Sequence, residues 1–142
     1  MMEKKITEEL LHEIADIHDV EDFLSDNSTE LMSGTLHEYM NELLKKQSLK
    51  KTEVIAGSNL NRAYVYQIFS GDKLPSRDKI IALAFGFRLN LSQMQRFLKQ
   101  SGFRELYVRD KRDAVIIFAI NKGMNLFQTN ELLFDLSEPL IE

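Results

Sequence analysis

A short stretch in the middle of the chain carries side chains of the types that hydrogen-bond to the edges of DNA bases. Within residues 61–70, Val65 and Ile68 stand three positions apart, which turns both apolar side chains to one side of a helix. The opposite side of that helix then carries Arg62, Ala63, Tyr66 and Gln67.

The side chains on this outer side match the groups that a major groove presents. Arg62 can pair through two hydrogen bonds with O6 and N7 of guanine, and Gln67 with N6 and N7 of adenine. Ala63 can touch the methyl group of thymine. An alternative stays open, in which Arg62 and Gln67 are surface residues of a helix pair that binds another protein.

Two short helices joined by a tight turn are expected to position these side chains. Val54 and Ile55 give the first helix an apolar face, and the second helix begins after Asn61, whose side chain can accept from a free backbone N–H. A turn this short needs one residue with a positive φ angle, and after glycine the best suited residue is asparagine. We therefore predict that Asn59 takes the left-handed conformation, with Leu60 packed in the angle between the helices.

This stretch resembles the helix-turn-helix of the phage-repressor (XRE/Cro-type) family. The resemblance runs without a gap over residues 49–71, and the phrase Y-V-Y-Q-I-F-S-G-x-x-x-P-S-R at residues 64–77 is characteristic of a bacterial branch of that family. The chain has Asn59 where the family usually has glycine, and Ile55 where it often has alanine.

The resemblance implies that the second helix lies in the major groove of DNA and that Arg62, Ala63 and Gln67 contact bases. It implies phosphate contacts at Lys51, where the first helix starts, and in the loop after the second helix. Tyrosine hydroxyls can also donate to phosphates. The expected DNA-contacting residues are Lys51, Asn61, Arg62, Ala63, Tyr64, Tyr66, Gln67, Lys73 and Arg77.

The distribution of charge agrees with such a site although the whole chain has a net charge of −4. Residues 1–35 contain two lysines and ten acidic residues, so the acidity is concentrated there. Residues 36–87 contain eight basic and five acidic residues, and residues 88–142 contain eight and seven. A DNA site needs a local basic face, and the middle segment can supply one.

Composition excludes several other classes of protein. The 142 residues are 44% hydrophobic and include no cysteine, which rules out disulfides and thiolate metal sites and favours the cytoplasm. No apolar run approaches the roughly 20 residues that span a membrane, and no signal peptide is expected. His12, His18 and His37 lack metal-ligand spacing. We expect no enzyme activity, no metal and no cofactor.

The helical pattern predicts an all-α protein in three parts. Residues 1–34 are expected to form an acidic helix and linker. For residues 35–100 the resemblance implies a five-helix lambda-repressor-like DNA-binding domain. Residues 101–142 are expected to form a two-helix C-terminal extension, in which Asp110 caps a helix starting at Lys111 and a last helix is buried on several sides. We also expect Leu106 and Tyr107 to point inward, and Arg112–Asp113 to form either a local ion pair or a dimer contact.

Together these features predict a sequence-specific, double-stranded DNA-binding transcriptional regulator, expected to act as a repressor. One such helix reads only a few base pairs, so a homodimer on a palindrome is expected, with half-sites about one helical turn apart. The apolar C-terminal helices are the expected dimer surface, with the N-terminal helix as the alternative. The alternative is an antitoxin or adaptor that uses the same fold to bind a protein, with acidic residues 1–34 attracting a basic partner.

Overall fold

The computed structural model describes residues 34–142, together with Glu9 and Leu11, which are helical and exposed. The rest of the predicted acidic helix and linker lies outside the described residues. Residues 34–142 form one compact unit in which all regular structure is helical, as the sequence predicted. Its helices are α1 Leu36–Gln47, α2 Lys51–Ser58, α3 Arg62–Phe69, α4 Arg77–Gly86, α5 Leu91–Gln100, α6 Lys111–Asn121 and α7 Leu126–Asp135.

Polar residues just before the helices explain where most of them begin. The side chain of the N-cap residue accepts a hydrogen bond from the backbone N–H three positions later, which satisfies one of the free donors of the first turn. Asn90 and Asn125 form full capping boxes with Gln93 and Gln128. The N-cap residues with such a bond are Thr35, Asn61, Ser76, Asn90, Asp110 and Asn125.

The core is a continuous apolar cluster that includes residues from all seven described helices. At its centre the ring of Phe87 meets the rings of Phe69 and Phe97 edge-on, at centroid distances of 6.1 and 6.0 Å. Such edge-to-face pairs add to the free energy gained from burial itself. Tyr39 stacks on Phe97 at 5.7 Å and thereby ties α1 to α5.

Helices α2 and α4 approach each other backbone to backbone at two glycines. A Cβ atom on Gly57 would lie 2.9 Å from the Cα atom of Gly86, and one on Gly86 would collide with the carbonyl oxygen of Val54. No side chain larger than hydrogen therefore fits at Gly86. The close crossing fixes α2, and hence the turn that follows it, on the buried helix α4.

The C-terminal helices pack on the same core. The predicted helix at Lys111–Asn121 is confirmed, with Asp110 as its cap and Gly123 in a left-handed conformation after it. Ile116 of α6 is buried, as are Leu126 and Leu133 of α7.

Two expectations for this region were wrong. Leu106 points inward as predicted, but Tyr107 is 54% exposed. The side-chain amide of Gln95 binds both the N–H and the C=O of Leu106. These two bonds hold Leu106 against the core, and Tyr107, the next residue, points outward. Helix α7 is not buried on several sides, since its outer side leaves Phe127, Phe134 and Leu136 exposed.

The residues after α7 return to the body of the protein. Asn130 donates to the carbonyl of Ile141 and accepts from its N–H, at 3.1 and 2.8 Å, and the Ile141 side chain is buried. None of the helices between residues 34 and 142 has the length and apolar character that crossing a bilayer requires.

Candidate nucleic-acid interface

The turn between α2 and α3 is closed by a left-handed residue and a serine. Asn59 has φ 54° and ψ 26°, which confirms the conformation predicted for it. The Ser58 hydroxyl donates to the carbonyl of Ile55 at 3.0 Å and accepts from the N–H of Leu60 at 3.3 Å. Ser58 is itself buried, so the serine fixes the exit from α2 with both of its hydrogen-bonding functions inside the protein.

The start and the orientation of α3 follow from its own sequence. Asn61 accepts from the N–H of Tyr64 at 3.1 Å, as predicted for the cap. Val65 and Ile68 are buried, which fixes the rotation of the helix about its axis. The side chains on the outer side, all exposed, are Arg62, Ala63, Tyr66 and Gln67.

Two basic side chains converge on one tyrosine at the outer side of α3. The Nζ atom of Lys51, the first residue of α2, lies 5.8 Å from the centroid of the Tyr66 ring and 5.2 Å from that of Phe69. The guanidinium carbon of Arg62 lies 5.6 Å from the Tyr66 centroid. Both distances to Tyr66 fall within the range of cation–π attraction. The structure thus brings together a predicted base-contacting residue and a predicted phosphate-contacting residue.

A third basic residue, absent from the predicted set, lies on α4 beside the same helix pair. The Nζ atom of Lys79 lies 5.9 Å from the ring centroid of the half-buried Tyr64. Lys79 and the turn residues border a concavity of about 270 Å³. The sequence places Lys79 in the first turn of the helix after Pro75, but only the fold shows that α4 begins beside the α2–α3 turn.

The loop after α3 presents Lys73 to solvent. Gly71 has φ 86°, and the N–H groups of Asp72 and Lys73 both donate to the carbonyl of Gln67. The Ser70 hydroxyl donates to the carboxylate of Asp72 at 2.9 Å, which keeps that acidic side chain on its own loop. Lys73 is exposed, in agreement with a position that can meet a phosphate.

Arg77 has a different environment from the one predicted for a phosphate contact. Its guanidinium donates to both carboxylate oxygens of Asp113, at 3.2 and 2.9 Å, and to the backbone carbonyls of Arg104 and Glu105, at 3.1 Å each. Four acceptors occupy this side chain. We therefore reassign Arg77 from the DNA-contacting set to the connection between α4 and α6.

A second ion pair joins the same two helices, but here the arginine belongs to α6 and the aspartate to α4. Arg112 donates to both oxygens of Asp78, at 2.9 and 2.8 Å. Arg112 and Asp113 thus pair with Asp78 and Arg77 of another helix, and the local ion pair expected at Arg112–Asp113 is replaced by two pairs across the α4–α6 contact. The sequence signal was the dipeptide Arg-Asp, which occurs at both helix starts.

The crossed pairs shift the pKa values of Asp113 and Arg112. Burial by itself raises the pKa of Asp113, but hydrogen bonds from Arg77 and from the N–H of Tyr107, with the nearby positive charges, outweigh it and hold the pKa below its usual value. The hydrogen bond to Asp78 raises the pKa of Arg112, which burial alone would lower. Both shifts favour the charged forms of Asp113 and Arg112.

Within residues 34–142, no three histidine or carboxylate side chains gather where they could hold a metal ion. Comparison with known proteins finds no family model, no curated protein and no solved structure that matches this chain. The resemblance of residues 49–77 to the phage-repressor family therefore stays a prediction made from the residues.

Proposed function

We propose that this protein is a sequence-specific regulator of transcription, acting as a repressor in the cytoplasm, that binds double-stranded DNA with α3 in the major groove. In this proposal, α1–α5 form a five-helix phage-repressor-like domain, and α6 and α7 are its C-terminal extension. One observation carries the proposal. A capped helix whose rotation is fixed by buried Val65 and Ile68 presents Arg62, Ala63 and Gln67 outward, and these side chains match the base edges of the major groove.

The surroundings of α3 supply what phosphate binding needs. Lys51 lies at the N-terminus of α2, and Lys73 is exposed on the loop that follows α3. Lys79 adds a positive charge beside Tyr64. Backbone phosphates fix the position of a protein on DNA, while the base contacts provide the specificity. In the sequence, Lys51 precedes α3 and Lys73 follows it, so both can contact phosphates while α3 contacts the bases.

A short reading helix favours a dimer. Helix α3 has eight residues, and a homodimer doubles the number of base pairs that are read. Two helices offer the surface, because α6 and α7 expose large apolar side chains, and an exposed apolar patch marks an interaction site. The exposed aromatic residues on these helices are Phe118, Phe127 and Phe134, of which Phe134 is 74% exposed.

The charges beside this surface complement one another. Lys122 follows the end of α6, with its ammonium group 5.6 Å from the centroid of Phe118. Glu131 and Asp135 are exposed on α7. In the proposed dimer, α6 of one subunit lies on α7 of the other, with each Lys122 facing Glu131 and Asp135 of its partner. This arrangement supports a second copy of the chain as the occupant of the apolar surface.

A second candidate function is an antitoxin or adaptor that binds a protein through the same fold. The feature that favours it is the concentration of ten acidic residues in the first 35 positions, which repels DNA and attracts a basic partner. The two functions are compatible. Salt dependence separates them, since DNA binding that falls steeply as salt rises favours the regulator, whereas a protein complex that persists at high salt favours the antitoxin or adaptor.

The test of the proposed function is selection of bound sequences from a random double-stranded DNA library. Affinity for the selected sequence is then measured at two salt concentrations. An enriched motif with two-fold symmetry, bound with an affinity that falls steeply as salt rises, is the expected result. Uniformly weak binding without an enriched motif would reject the proposal.

A further inference from the structure

The tyrosine at the centre of the outer side of α3 has two possible roles in DNA binding. A hydroxyl that donates to a phosphate is the role expected from the sequence. The structure points to the other role, because the contacts of Tyr66 with its neighbours are made through the faces of its ring. The centroid of that ring lies 5.6 Å from the guanidinium carbon of Arg62 and 5.8 Å from the Nζ atom of Lys51.

We propose that Tyr66 is a positioning residue whose ring holds the Arg62 guanidinium ready to pair with a guanine. The inference rests on the proposed function. Arg62 and Tyr66 are four positions apart on α3, so they are neighbours one turn apart on the helix surface. An arginine side chain is long and flexible, and confining it before DNA arrives lowers the entropy lost on binding.

Arg62 depends on Tyr66 more than Lys51 does. Among the described residues, Arg62 forms no ion pair, and its contact with the Tyr66 ring is the interaction that fixes its guanidinium. Lys51 has a second ring to rest on, because its Nζ atom lies 5.2 Å from the centroid of Phe69. Phe69 is buried in the core and does not move with the tyrosine. Removing the Tyr66 ring therefore frees Arg62 and leaves Lys51 largely in place.

This asymmetry separates specificity from general affinity. Arg62 is assigned to a base and Lys51 to a phosphate, so loss of the ring lowers discrimination at one base pair and changes the salt dependence of binding little. Loss of a phosphate contact has the opposite signature, a uniform weakening on all sequences with a smaller salt slope. Mutation of Tyr66 therefore distinguishes its two roles, because loss of the ring lowers discrimination whereas loss of a phosphate contact lowers affinity for all sequences.

Two substitutions isolate the ring from the hydroxyl. Tyr66→Phe removes the hydroxyl and keeps the ring, while Tyr66→Leu removes the ring and keeps apolar bulk against the helix. We expect Tyr66→Phe to keep the wild-type discrimination at the Arg62 base pair, because the ring is still present. Tyr66→Leu should lose about two- to fivefold in affinity and in discrimination at the Arg62 base pair, the size of one exposed cation–π contact.

A readout without DNA tests the positioning directly. In the wild type and in Tyr66→Phe, the ring current should shift the NMR signals of the Arg62 side chain upfield. In Tyr66→Leu those signals should return to the values of an unrestrained arginine. Circular dichroism of each variant controls for folding, since the exposed Tyr66 contributes little to the core.

The combination with Arg62→Ala decides whether Tyr66 acts through Arg62. If it does, Tyr66→Leu has no further effect in the Arg62→Ala background. The inference would be overturned if Tyr66→Leu lowered DNA affinity equally with and without Arg62. It would also be overturned if Tyr66→Phe and Tyr66→Leu lowered the affinity equally. Either result would leave the proposed function standing. A wild type that selects no DNA sequence would instead reject the proposed function itself, and the inference with it.

Discussion

Arg77 and Asp113, 36 positions apart in the sequence, form a two-pronged ion pair at the contact between the starts of α4 and α6. The Asp113 side chain is 2% exposed and the Arg77 side chain 18%. The residues next to them, Asp78 and Arg112, pair in the opposite direction at 2.8 Å. The two ion pairs connect α6, the first of the C-terminal helices, to α4, which follows α3.

Asp113→Asn is expected to destabilise the protein by leaving the Arg77 charge without its partner. Breaking a buried pair on one side costs about 3–5 kcal/mol, and the partial exposure of Arg77 places the expected loss near the lower end of that range. Urea unfolding measures it. The matched control is Glu53→Gln, which removes the exposed pair of Glu53 with Arg88 and should change the free energy of unfolding by less than about 1 kcal/mol. Equal effects of the two substitutions would contradict a structural role for the Arg77 pair.

The same pair should make stability depend on acid pH. Because the folded-state pKa of Asp113 is below its usual value, its ionisation stabilises the fold fully above the unfolded-state pKa of about 4 and progressively less as pH falls through the folded-state pKa. The difference in free energy of unfolding between the wild type and Asp113→Asn should therefore be constant near neutral pH and shrink below about pH 4. A difference that stays constant into strong acid would show that the charge of Asp113 is not the stabilising feature.

Gly86→Ala should destabilise the protein, although alanine is the better helix former. In an open helix this change gains about 0.5–1 kcal/mol. Here the added methyl group meets the carbonyl oxygen of Val54, and forcing extra volume into a packed contact costs about 1–3 kcal/mol. Thermal unfolding with a lowered midpoint is the expected result. A raised midpoint would show that α2 and α4 are not in backbone contact.

Arg62→Ala and Lys51→Ala should weaken DNA binding in different ways. Arg62→Ala is expected to cost about 1–3 kcal/mol on the selected site and to relax specificity at one base pair. Lys51→Ala should weaken binding to all sequences alike and reduce the salt slope. Titrations on the selected and on a scrambled duplex measure both effects. Lys99→Ala, a charge-matched change on α5 at an exposed position outside the α2–α3 pair, is the control, and equal binding by all these variants would contradict the assignment of the interface.

Phe134→Glu should convert the expected dimer into a monomer. The side chain is 74% exposed on α7, so the charge is tolerated in the single subunit but not in an apolar contact between subunits. Sedimentation equilibrium measures the association state. The control is Leu74→Glu, which changes an equally exposed apolar residue on the loop after α3. A wild type that is monomeric at all concentrations would remove α6 and α7 as a dimer surface.

Local chemistry made much of the candidate site predictable. The conformation of Asn59 and the caps at Asn61, Asp110 and Asn125 depend on residues within a few positions, so short spacings specify them. Helical periodicity also predicted that Val65 and Ile68 are buried.

The contacts that were not predicted join distant parts of the chain. The partner of Arg77 comes from a different helix, and no spacing within residues 64–77 reveals it. The close approach of Gly57 and Gly86 is likewise a property of two packed helices. Phe127 and Phe134 are exposed because no other described helix covers their side of α7. The apolar pattern of α7 alone does not show which of its apolar residues face the core.

The anchoring of Ile141 has a practical consequence for anyone who adds a tag or a fluorescent protein. Asn130 holds both backbone groups of Ile141, and Glu142 borders the concavity beside the α2–α3 turn. A bulky group attached at Glu142 therefore lies next to the N-terminus of α3, where it would cover the proposed DNA-binding surface.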